Sequence, residues 1–308
     1  MEFNELQKRI LKLKDEKNAL LLVHNYQVPE IQVLADRLGD SLELCREAQK
    51  VRDADMIVFC GVTFMAEMAA ILIPDKRVVI PSHEACCPMA AMLPIGKLLE
   101  AKEKYPGVPV VLYVNTLAEA KAEATVTCTS ANADKIIRKL NAGRVIFGPD
   151  MNLAYYASKR APEVEIITVP EYGNCNVHRF IGNGDEAMEM KKRFPGAEVW
   201  AHPECEPAFQ DRADYVLSTG GMVRRAQESP SRIFIVGTEV GIIDRLTREN
   251  PGKTFLPAKI NAECAAMKRI NLWNLYAALV DERPVVTVPD EIASKARVAI
   301  ERMLEMSP

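Results

Sequence analysis

The sequence predicts an α/β protein built from three similar three-layer α/β domains with parallel sheets, related by a pseudo-threefold axis. Nine short apolar runs rich in β-branched residues alternate with helical stretches, which is typical of parallel sheets covered by helices. Several key residues also recur at an interval close to 89 residues, which indicates an internal triplication. We therefore predict domains at 1–95, 96–184 and 185–308, the first with an N-terminal helix and the third with C-terminal helices.

The predicted strands fall into three sets of three. Strands that are buried on both faces appear as continuous apolar runs. The runs are ALLLVHNY, DMIVFCG and KRVVIPS; VPVVLYVN, GRVIFGP and VEIITVP; and AEVWAHP, SRIFIVG and KTFLPAK. Stretches such as LELCREAQKVRD and ADKIIRKLNAG predict the helices between them, and MEFNELQKRILKLKDEKN predicts a charged amphipathic helix at the start of the chain.

Composition and charge restrict the classes of function. The chain has 308 residues, a net charge of −3 and no basic tract of five or more residues, so we do not expect nucleic acid as a partner. The longest uncharged stretches contain prolines and are too short to span a membrane, and the charged N-terminus does not resemble a signal peptide. We expect a cytoplasmic protein without a membrane partner. Eight cysteines in that compartment favour catalysis or metal binding over disulfides.

Polar residues recur in step with the predicted strands and helices. In each set, two polar residues at alternate positions end the first strand, so both of their side chains lie on the same side of that strand. In each set, one residue with a hydroxyl group also lies at the start of a predicted helix. Taken alone, each residue could be a hydrogen-bonded polar residue at a strand end or a helix cap. The whole set predicts a substrate cavity with helix N-termini that attract anions. The series are His24, Tyr113 and His202; Tyr26, Asn115 and Glu204; and Ser41, Ser130 and Thr219.

Three of the eight cysteines follow the same repeat. Cys87, Cys175 and Cys264 are 88 and 89 residues apart, and each follows the third strand of its set at the start of a helix-like stretch. The helix dipole at that place favours a thiolate, and ligands of parallel sheets collect beyond the carboxyl ends of the strands. Cys86 fits the interval almost as well as Cys87. The proline after Cys87 places that residue at the helix start and favours it as the ligand.

Three thiolates without a fourth equivalent suit a [4Fe-4S] cluster with one open iron, or zinc with three sulfurs and a further ligand. Plain buried thiols are the third alternative. We favour the cluster, because single cysteines so widely spaced do not resemble the CxxC pairs of structural zinc sites. The open iron would be a Lewis acid that promotes loss of water from a bound substrate. The cysteines that we expect to be structural are Cys45, Cys60, Cys128 and Cys205.

An ordered series of motifs between residues 23 and 268 resembles the quinolinate synthase family. The motifs are VHNYQ, FCGVTFMAE, CPMA, YVNT, CTSANA, FGPDMNLA, GNCNVH, HPEC, STGGM, GTEVG and AECAAMK. The resemblance covers nearly the whole chain. It implies three α/β domains around a pseudo-threefold axis, with one cysteine from each domain holding a [4Fe-4S] cluster.

The resemblance also implies an activity. Family members are transferases of de novo NAD biosynthesis that condense iminoaspartate (iminosuccinate) with dihydroxyacetone phosphate to quinolinate, and release phosphate and two waters. The expected partners are these two small molecules, and the enzyme that supplies iminoaspartate is a further candidate.

The resemblance assigns residues to this site. The cluster ligands are Cys87 in CPMA, Cys175 in GNCNVH and Cys264 in AECAAMK. The substrate contacts that it implies are His24, Tyr26, Ser41, Tyr113, Asn115, Ser130, His202, Glu204 and Thr219. We add to them His178, which lies one turn after Cys175, and Ser218. As a hypothesis for the mechanism, we expect Glu204 to be the general acid or base, with Tyr26 and His202 in proton transfer.

Two other classes of function stay open at this point. An aconitase-like hydro-lyase would use the same open iron on a single hydroxy acid and would not need a triose phosphate. An iron–sulfur redox or iron-sensing protein would need an effector surface, such as a basic DNA-binding helix, and the sequence contains no such helix.

Overall fold

The structure, a computed structural model, describes residues 4–307 and contains three parallel four-stranded sheets interleaved with helices, as the predicted fold class requires. The first unit contains strands β1 to β4, the second β5 to β8 and the third β9 to β12. The strands are β1 (Ala19–His24), β2 (Arg37–Gly39), β3 (Met56–Cys60), β4 (Arg77–Val79), β5 (Val110–Tyr113), β6 (Val126–Cys128), β7 (Arg144–Gly148), β8 (Glu165–Thr168), β9 (Glu198–Ala201), β10 (Tyr215–Val216), β11 (Ile233–Gly237) and β12 (Thr254–Pro257).

All three sheets have the same strand order. The orders are β2-β1-β3-β4, β6-β5-β7-β8 and β10-β9-β11-β12, and every neighbouring pair is parallel. The nine predicted strands are confirmed. The prediction of three strands per sheet is wrong, because β2, β6 and β10 add an edge strand to each sheet. These edge strands have only three, three and two residues, too few to form an apolar run.

Helices connect the strands and extend the chain at both ends. The predicted N-terminal helix is confirmed over Glu5–Glu16, where Asn4 and Gln7 form a capping box; its first three predicted residues lie outside the described residues. The helices are α1 (Glu5–Glu16), α2 (Pro29–Gln32), α3 (Ser41–Lys50), α4 (Thr63–Leu72), α5 (Pro88–Ala91), α6 (Ile95–Lys104), α7 (Ala118–Ala122), α8 (Ala133–Lys139), α9 (Met151–Arg160), α10 (Asn176–Ile181), α11 (Asp185–Arg193), α12 (Pro207–Gln210), α13 (Thr219–Glu228), α14 (Ile242–Glu249), α15 (Leu272–Asp281) and α16 (Asp290–Glu305), with a 3-10 helix at Met267–Arg269.

The helix-like stretch after each candidate cysteine is divided in two. The first is α5 and α6, separated before Pro94, and the second is α10 and α11, separated by Gly182 and Gly184 at positive φ. The third is the 3-10 helix and α15, where Asn271 caps a new helix. Each cysteine therefore precedes a short, separate turn of helix.

The apolar core is continuous across the first two units. It includes α15 and α16; α16 packs on α7, β6 and α4, while α15 packs on α1 and β3. The third unit has two clusters of its own, one on each side of its sheet. The predicted domain boundaries and the pseudo-threefold axis stay predictions. None of the helices in the described part of the chain is long and apolar enough to cross a membrane.

The strand order determines where a site can form. In each sheet, the connection after the strand that comes first along the chain (β1, β5 or β9) leads to one edge. The connection after the strand in third place across the sheet (β3, β7 or β11) leads to the other edge. The carboxyl ends of these two central strands therefore border a crevice at the topological switch point, where open α/β sheets bind ligands. His24 ends β1, Tyr113 ends β5 and His202 directly follows β9.

Candidate functional site

One cavity is lined by residues from all three units. It brings together 12 of the 14 predicted site residues: His24, Tyr26, Ser41, Cys87, Tyr113, Asn115, Ser130, Cys175, His202, Glu204, Thr219 and Cys264. The lining also contains six residues that the sequence did not predict: Asp40, Val62, Phe64, Met65, Thr129 and Met267. His178 is buried behind this lining, and the hydroxyl of Ser218 accepts a hydrogen bond from the amide of Gly221 at 3.2 Å.

The structure separates the two neighbouring cysteines. Cys87 lines the cavity and occupies the N-cap position of α5. Cys86 is exposed, and its thiol contacts the carbonyl oxygen of His83 at 3.1 Å and the hydroxyl of Thr63 at 3.4 Å. Only Cys87 of this pair therefore faces the other two candidate cysteines. The cysteines expected to be structural are all buried: Cys45, Cys60, Cys128 and Cys205.

The three cysteine-bearing loops are held by equivalent backbone hydrogen bonds. In each unit, a backbone amide just after β3, β7 or β11 donates to the backbone carbonyl 22 residues further along the chain. The candidate cysteine follows that carbonyl by two residues. The bonds run from Thr63 to Ala85 at 2.8 Å, from Met151 to Gly173 at 2.8 Å and from Val240 to Ala262 at 3.0 Å. The 88- and 89-residue repeat of the cysteines therefore corresponds to a repeated loop geometry.

Buried carboxylates support two of these loops. Glu239 is fully buried; its Oε1 accepts from the Cys264 amide at 3.0 Å and its Oε2 accepts from the Gly241 amide at 2.7 Å. Lys268 Nζ lies 2.8 Å from Oε1 and neutralises part of its charge. Asp150 has the corresponding position in the second unit, beside the Cys175 amide. These acids follow β11 and β7, and neither was predicted as a site residue.

The three free thiols resist ionisation. Burial raises the pKa of Cys87 to about 12 and also raises the pKa of Cys175 and of Cys264. Backbone amides two or three residues after each cysteine favour the thiolate, but burial outweighs them. The backbone at the helix starts therefore favours the thiolates as predicted, but burial keeps the free thiols protonated. A bound metal would supply the positive charge that three thiolates need in this cavity.

A group of possible metal ligands lies at the edge of the cavity. One atom each from Cys175, His178 and Glu204 lie within 4.8 Å of one another, so this group could hold a metal. The three candidate cysteines do not meet that distance limit as a set, although all are among the described residues. Sulfurs that share one zinc ion at bonds of about 2.3 Å would be only about 3.8 Å apart. A single zinc ion would need the three sulfurs to lie closer together than they do here.

His24 and His202 have the same local geometry in the first and third units. Nδ1 of His24 accepts from the amide of Tyr26 at 3.2 Å, and Nδ1 of His202 accepts from the amide of Glu204 at 3.3 Å. The proton of each neutral ring is therefore on Nε2. Burial lowers the pKa of both residues from 6.5 to about 3. Both rings are neutral hydrogen-bond donors near pH 7.

The carboxylate of Glu204 is held from the second unit. Its Oε1 accepts from the hydroxyl of Tyr113, and its Oε2 lies 2.8 Å from Nδ1 of His178. Burial alone would raise the pKa of this carboxyl, but His178, His202 and Tyr113 together lower it well below its usual value. Glu204 is therefore ionised inside the cavity.

The candidate hydroxyls do not cap their helices. Ser41 and Thr219 are the first residues of α3 and α13, and the caps are the preceding residues, Asp40 and Ser218. The side-chain amide of Asn25 donates to the hydroxyl of Thr219 at 3.1 Å and orients it. Ser130 lies in the turn before α8. The hydroxyls of Ser41 and Thr219 are available to a ligand because other side chains cap α3 and α13, and Ser130 lines the same cavity.

Comparison with known proteins identifies the family. The model of the family described as "Quinolinate synthetase A protein" matches residues 8–305. The chain belongs to this family. Curated quinolinate synthases cover nearly all of the chain and are covered by it nearly completely. The protein from Pyrococcus furiosus is 54% identical over 98% of both chains, and that from Methanothermobacter thermautotrophicus is 51% identical over 99% of both. The protein from Thermococcus onnurineus is 53% identical over the full length of both chains.

For this member of the quinolinate synthetase A family, the repeat found most of the cavity lining but not the residues that support it. Thr238 was missed although it directly follows Gly237, which recurs with Gly61 and Gly148 at 87 and 89 residues. Asn25 and Lys268 were missed because their partners lie far along the chain, and no local pattern encodes such contacts.

Proposed function

We propose that the chain condenses iminoaspartate with dihydroxyacetone phosphate to quinolinate, with release of phosphate and two waters, as a transferase of de novo NAD biosynthesis. The observation that supports this proposal is the single cavity that three cysteines share with an ionised Glu204 and a set of neutral hydrogen-bond donors. Membership of the quinolinate synthetase A family supports the same reaction class.

Cys87, Cys175 and Cys264 would hold a [4Fe-4S] cluster. The donor set fits this group, because one cysteine from each of the three units lines the cavity and, within residues 4–307, no fourth cysteine does. When bound, the cluster supplies an iron with an open position, a Lewis acid for the dehydration steps. Glu239 and Asp150 would keep two of the three ligand loops in place.

Neutral donors would bind the anionic substrates. Of the side chains described as lining the cavity, none is a lysine or an arginine. Ser41 and Thr219 lie at the positive ends of the ten-residue helices α3 and α13, where anions are stabilised. The side chain of Asn115 lines the cavity, and its NH₂ group can donate to a substrate anion. We assign carboxylate and phosphate binding to these residues, with Ser130 and with Nε2 of His24 and His202.

Glu204 would be the principal base. Removal of a carbon-bound proton from iminoaspartate gives the enamine, whose carbon forms the bond to the triose as phosphate leaves. Later proton transfers accompany the loss of two waters and the closure of the aromatic ring. Glu204 is ionised and can accept a proton, while Tyr26 and His202 carry protons that they can donate. Tyr113 and His178 hold the carboxylate in place between these steps.

The expected setting follows from this chemistry. Iminoaspartate hydrolyses readily in water, so the enzyme that supplies it is the expected partner. We expect the reaction to take place in the cytoplasm, where thiols and exposed clusters are kept reduced.

The test is turnover by anaerobically purified protein. Iminoaspartate is generated in the assay and dihydroxyacetone phosphate is added; quinolinate and phosphate should appear in equal amounts. Omission of the triose phosphate should abolish the product. Dehydration of a single hydroxy acid without any triose phosphate would favour the hydro-lyase. Failure of iron-loaded protein to form quinolinate from both substrates would contradict the proposal.

A further inference from the structure

Arg245 approaches the substrate cavity from behind its wall. This residue lies on α14, its side chain is only 13% exposed, and its Nε donates to Glu249 at 2.8 Å. Its Nη1 donates to the side-chain oxygen of Asn25 at 2.6 Å and to the backbone carbonyl of Leu38 at 3.1 Å. Asn25 directly follows β1 and is fully buried. Its NH₂ group donates to the hydroxyl of Thr219, which lines the cavity. Two hydrogen bonds in series therefore link the guanidinium to the cavity.

The guanidinium determines the direction of both hydrogen bonds. A guanidinium only donates, so the oxygen of Asn25 must face Arg245 and its NH₂ group must face Thr219. If the amide were turned around, two N–H donors would meet 2.6 Å apart and repel each other. The oxygen of Thr219 therefore accepts from Asn25, and the proton of the hydroxyl is not used in this contact. Within residues 4–307 the hydroxyl makes no other hydrogen bond, so its proton is free to point into the cavity.

This arrangement makes Thr219 a hydrogen-bond donor at a place that favours anions. Thr219 is the first residue of the ten-residue helix α13, and Ser218 caps that helix, so the hydroxyl of Thr219 is not needed as a cap. An anion beside it would gain from the helix N-terminus and from a donated hydrogen bond. A hydroxyl that donated to Asn25 instead would present only lone pairs to the anion. The direction of one buried hydrogen bond therefore decides whether Thr219 attracts or repels a negative group.

We propose that Arg245 is a positioning residue that acts through Asn25 and directs the proton of Thr219 toward a carboxylate or phosphate of the substrate. The ion pair with Glu249 balances the charge of the guanidinium, so its effect on the substrate passes mainly through the two hydrogen bonds. The cation itself stays outside the cavity, whose described lining contains no lysine or arginine. This proposal rests on the function proposed above, in which Thr219 contacts a substrate anion.

The test measures the binding of two anions, dihydroxyacetone phosphate and quinolinate, each added alone to the iron-loaded protein in a calorimeter. Arg245→Met removes the donor, so the amide of Asn25 can turn and take the proton of Thr219. We expect the Kd of one of the two anions to rise about 10-fold, the scale of one hydrogen bond to a charged group. Arg245→Lys retains a donor and should recover most of the affinity. The anion that responds shows whether Thr219 binds a phosphate or a carboxylate. Arg248→Met, at an exposed position of the same helix, is the matched control and should bind both anions as the wild type does.

A double-mutant cycle separates this role from a structural one. Thr219→Val removes the hydroxyl, so the further change Arg245→Met should then alter the Kd of the responding anion less than twofold. An equal loss of affinity in both backgrounds would overturn the proposal, because the arginine would then act by its charge or by holding the fold. Unchanged Kd values for both anions in Arg245→Met, or no binding of either anion to the wild type, would overturn it as well.

A second variant keeps the test decisive if Arg245→Met does not fold. The carboxylate of Asn25→Asp still accepts from Arg245, but it cannot donate and takes the proton of Thr219. The Kd of the responding anion should rise about 10-fold or more, and the rise should be smaller in the Thr219→Val background. The same rise in both backgrounds would contradict the proposal. If the wild type binds the anions but forms no quinolinate, the proposed function fails, and the cycle still decides the role of Arg245.

Discussion

The hydroxyl of Tyr113, at the end of the first strand of the second unit, donates a hydrogen bond to the carboxylate of Glu204 in the third unit. His178, also from the second unit, contacts the other carboxylate oxygen. Residues of a neighbouring unit therefore offset the burial of Glu204 and keep it ionised, so the geometry of the proposed base depends on how the units pack.

Replacing Glu204 tests its role as the base. Glu204→Gln keeps the shape and the contact with Tyr113 but cannot accept a proton. We expect turnover to fall by roughly 10²-fold or more, with the iron content unchanged. Glu206→Gln, two residues away and outside the cavity lining, should keep normal turnover. Near-normal turnover in Glu204→Gln would remove the residue from this role.

Asn115 tests substrate binding by neutral donors. Its side chain lines the cavity, and its NH₂ group can donate to a substrate anion. Asn115→Ala should raise KM about 10-fold, the equivalent of one lost hydrogen bond to a charged group, with a smaller effect on kcat. Asn115→Asp should bind the anionic substrates more weakly still, because the two negative charges repel. A KM within twofold of the wild type for both variants would exclude Asn115 from substrate binding.

Glu239 tests the support of the Cys264 loop. Glu239→Gln retains one oxygen for a backbone amide but loses the ion pair with Lys268. We expect iron to be lost several-fold faster when the protein is challenged with a chelator, which absorbance measures. Glu291→Gln, in an exposed helical pair, is the matched control. Equal rates of iron loss from both variants would show that the buried carboxylate does not hold the loop.

The buried histidines predict an acid-sensitive fold. The pKa of His24 is lowered from 6.5 to about 3, so the unfolded chain binds a proton below pH 6.5 that the folded protein does not bind until about pH 3. The free energy of unfolding therefore falls as pH decreases through this window, by about 2 kcal/mol for this ring at pH 5.

Thermal unfolding checks this prediction. The difference in Tm between pH 7.5 and pH 5 should be several degrees smaller in His24→Gln than in the wild type. His83→Gln, at an exposed position, should keep the wild-type difference. The same Tm difference in His24→Gln and the wild type would mean that the buried ring does not sense pH in this way.

The sequence predicted the parts of the fold that repeat. Long buried runs such as Met56–Cys60 and the 89-residue series predicted the central strands and most of the cavity lining. The edge strands were not predicted, because strands of two or three residues are too short to show an apolar run or an alternating pattern. The contact of Asn25 with Thr219 was not predicted, because it joins positions that are 194 residues apart. The helix starts favour thiolates as predicted, but burial, which a sequence does not display, outweighs this effect in the free thiols.

Iron and sulfide analysis with an absorption spectrum, after anaerobic purification of the wild type, Cys86→Ala and Cys87→Ala, tests the central claim most directly. The account predicts about four irons per chain and a broad band near ~400 nm in the wild type and in Cys86→Ala, and loss of both in Cys87→Ala. Zinc or no metal in the wild type, or loss of the cluster from Cys86→Ala with retention in Cys87→Ala, would contradict the three-cysteine site.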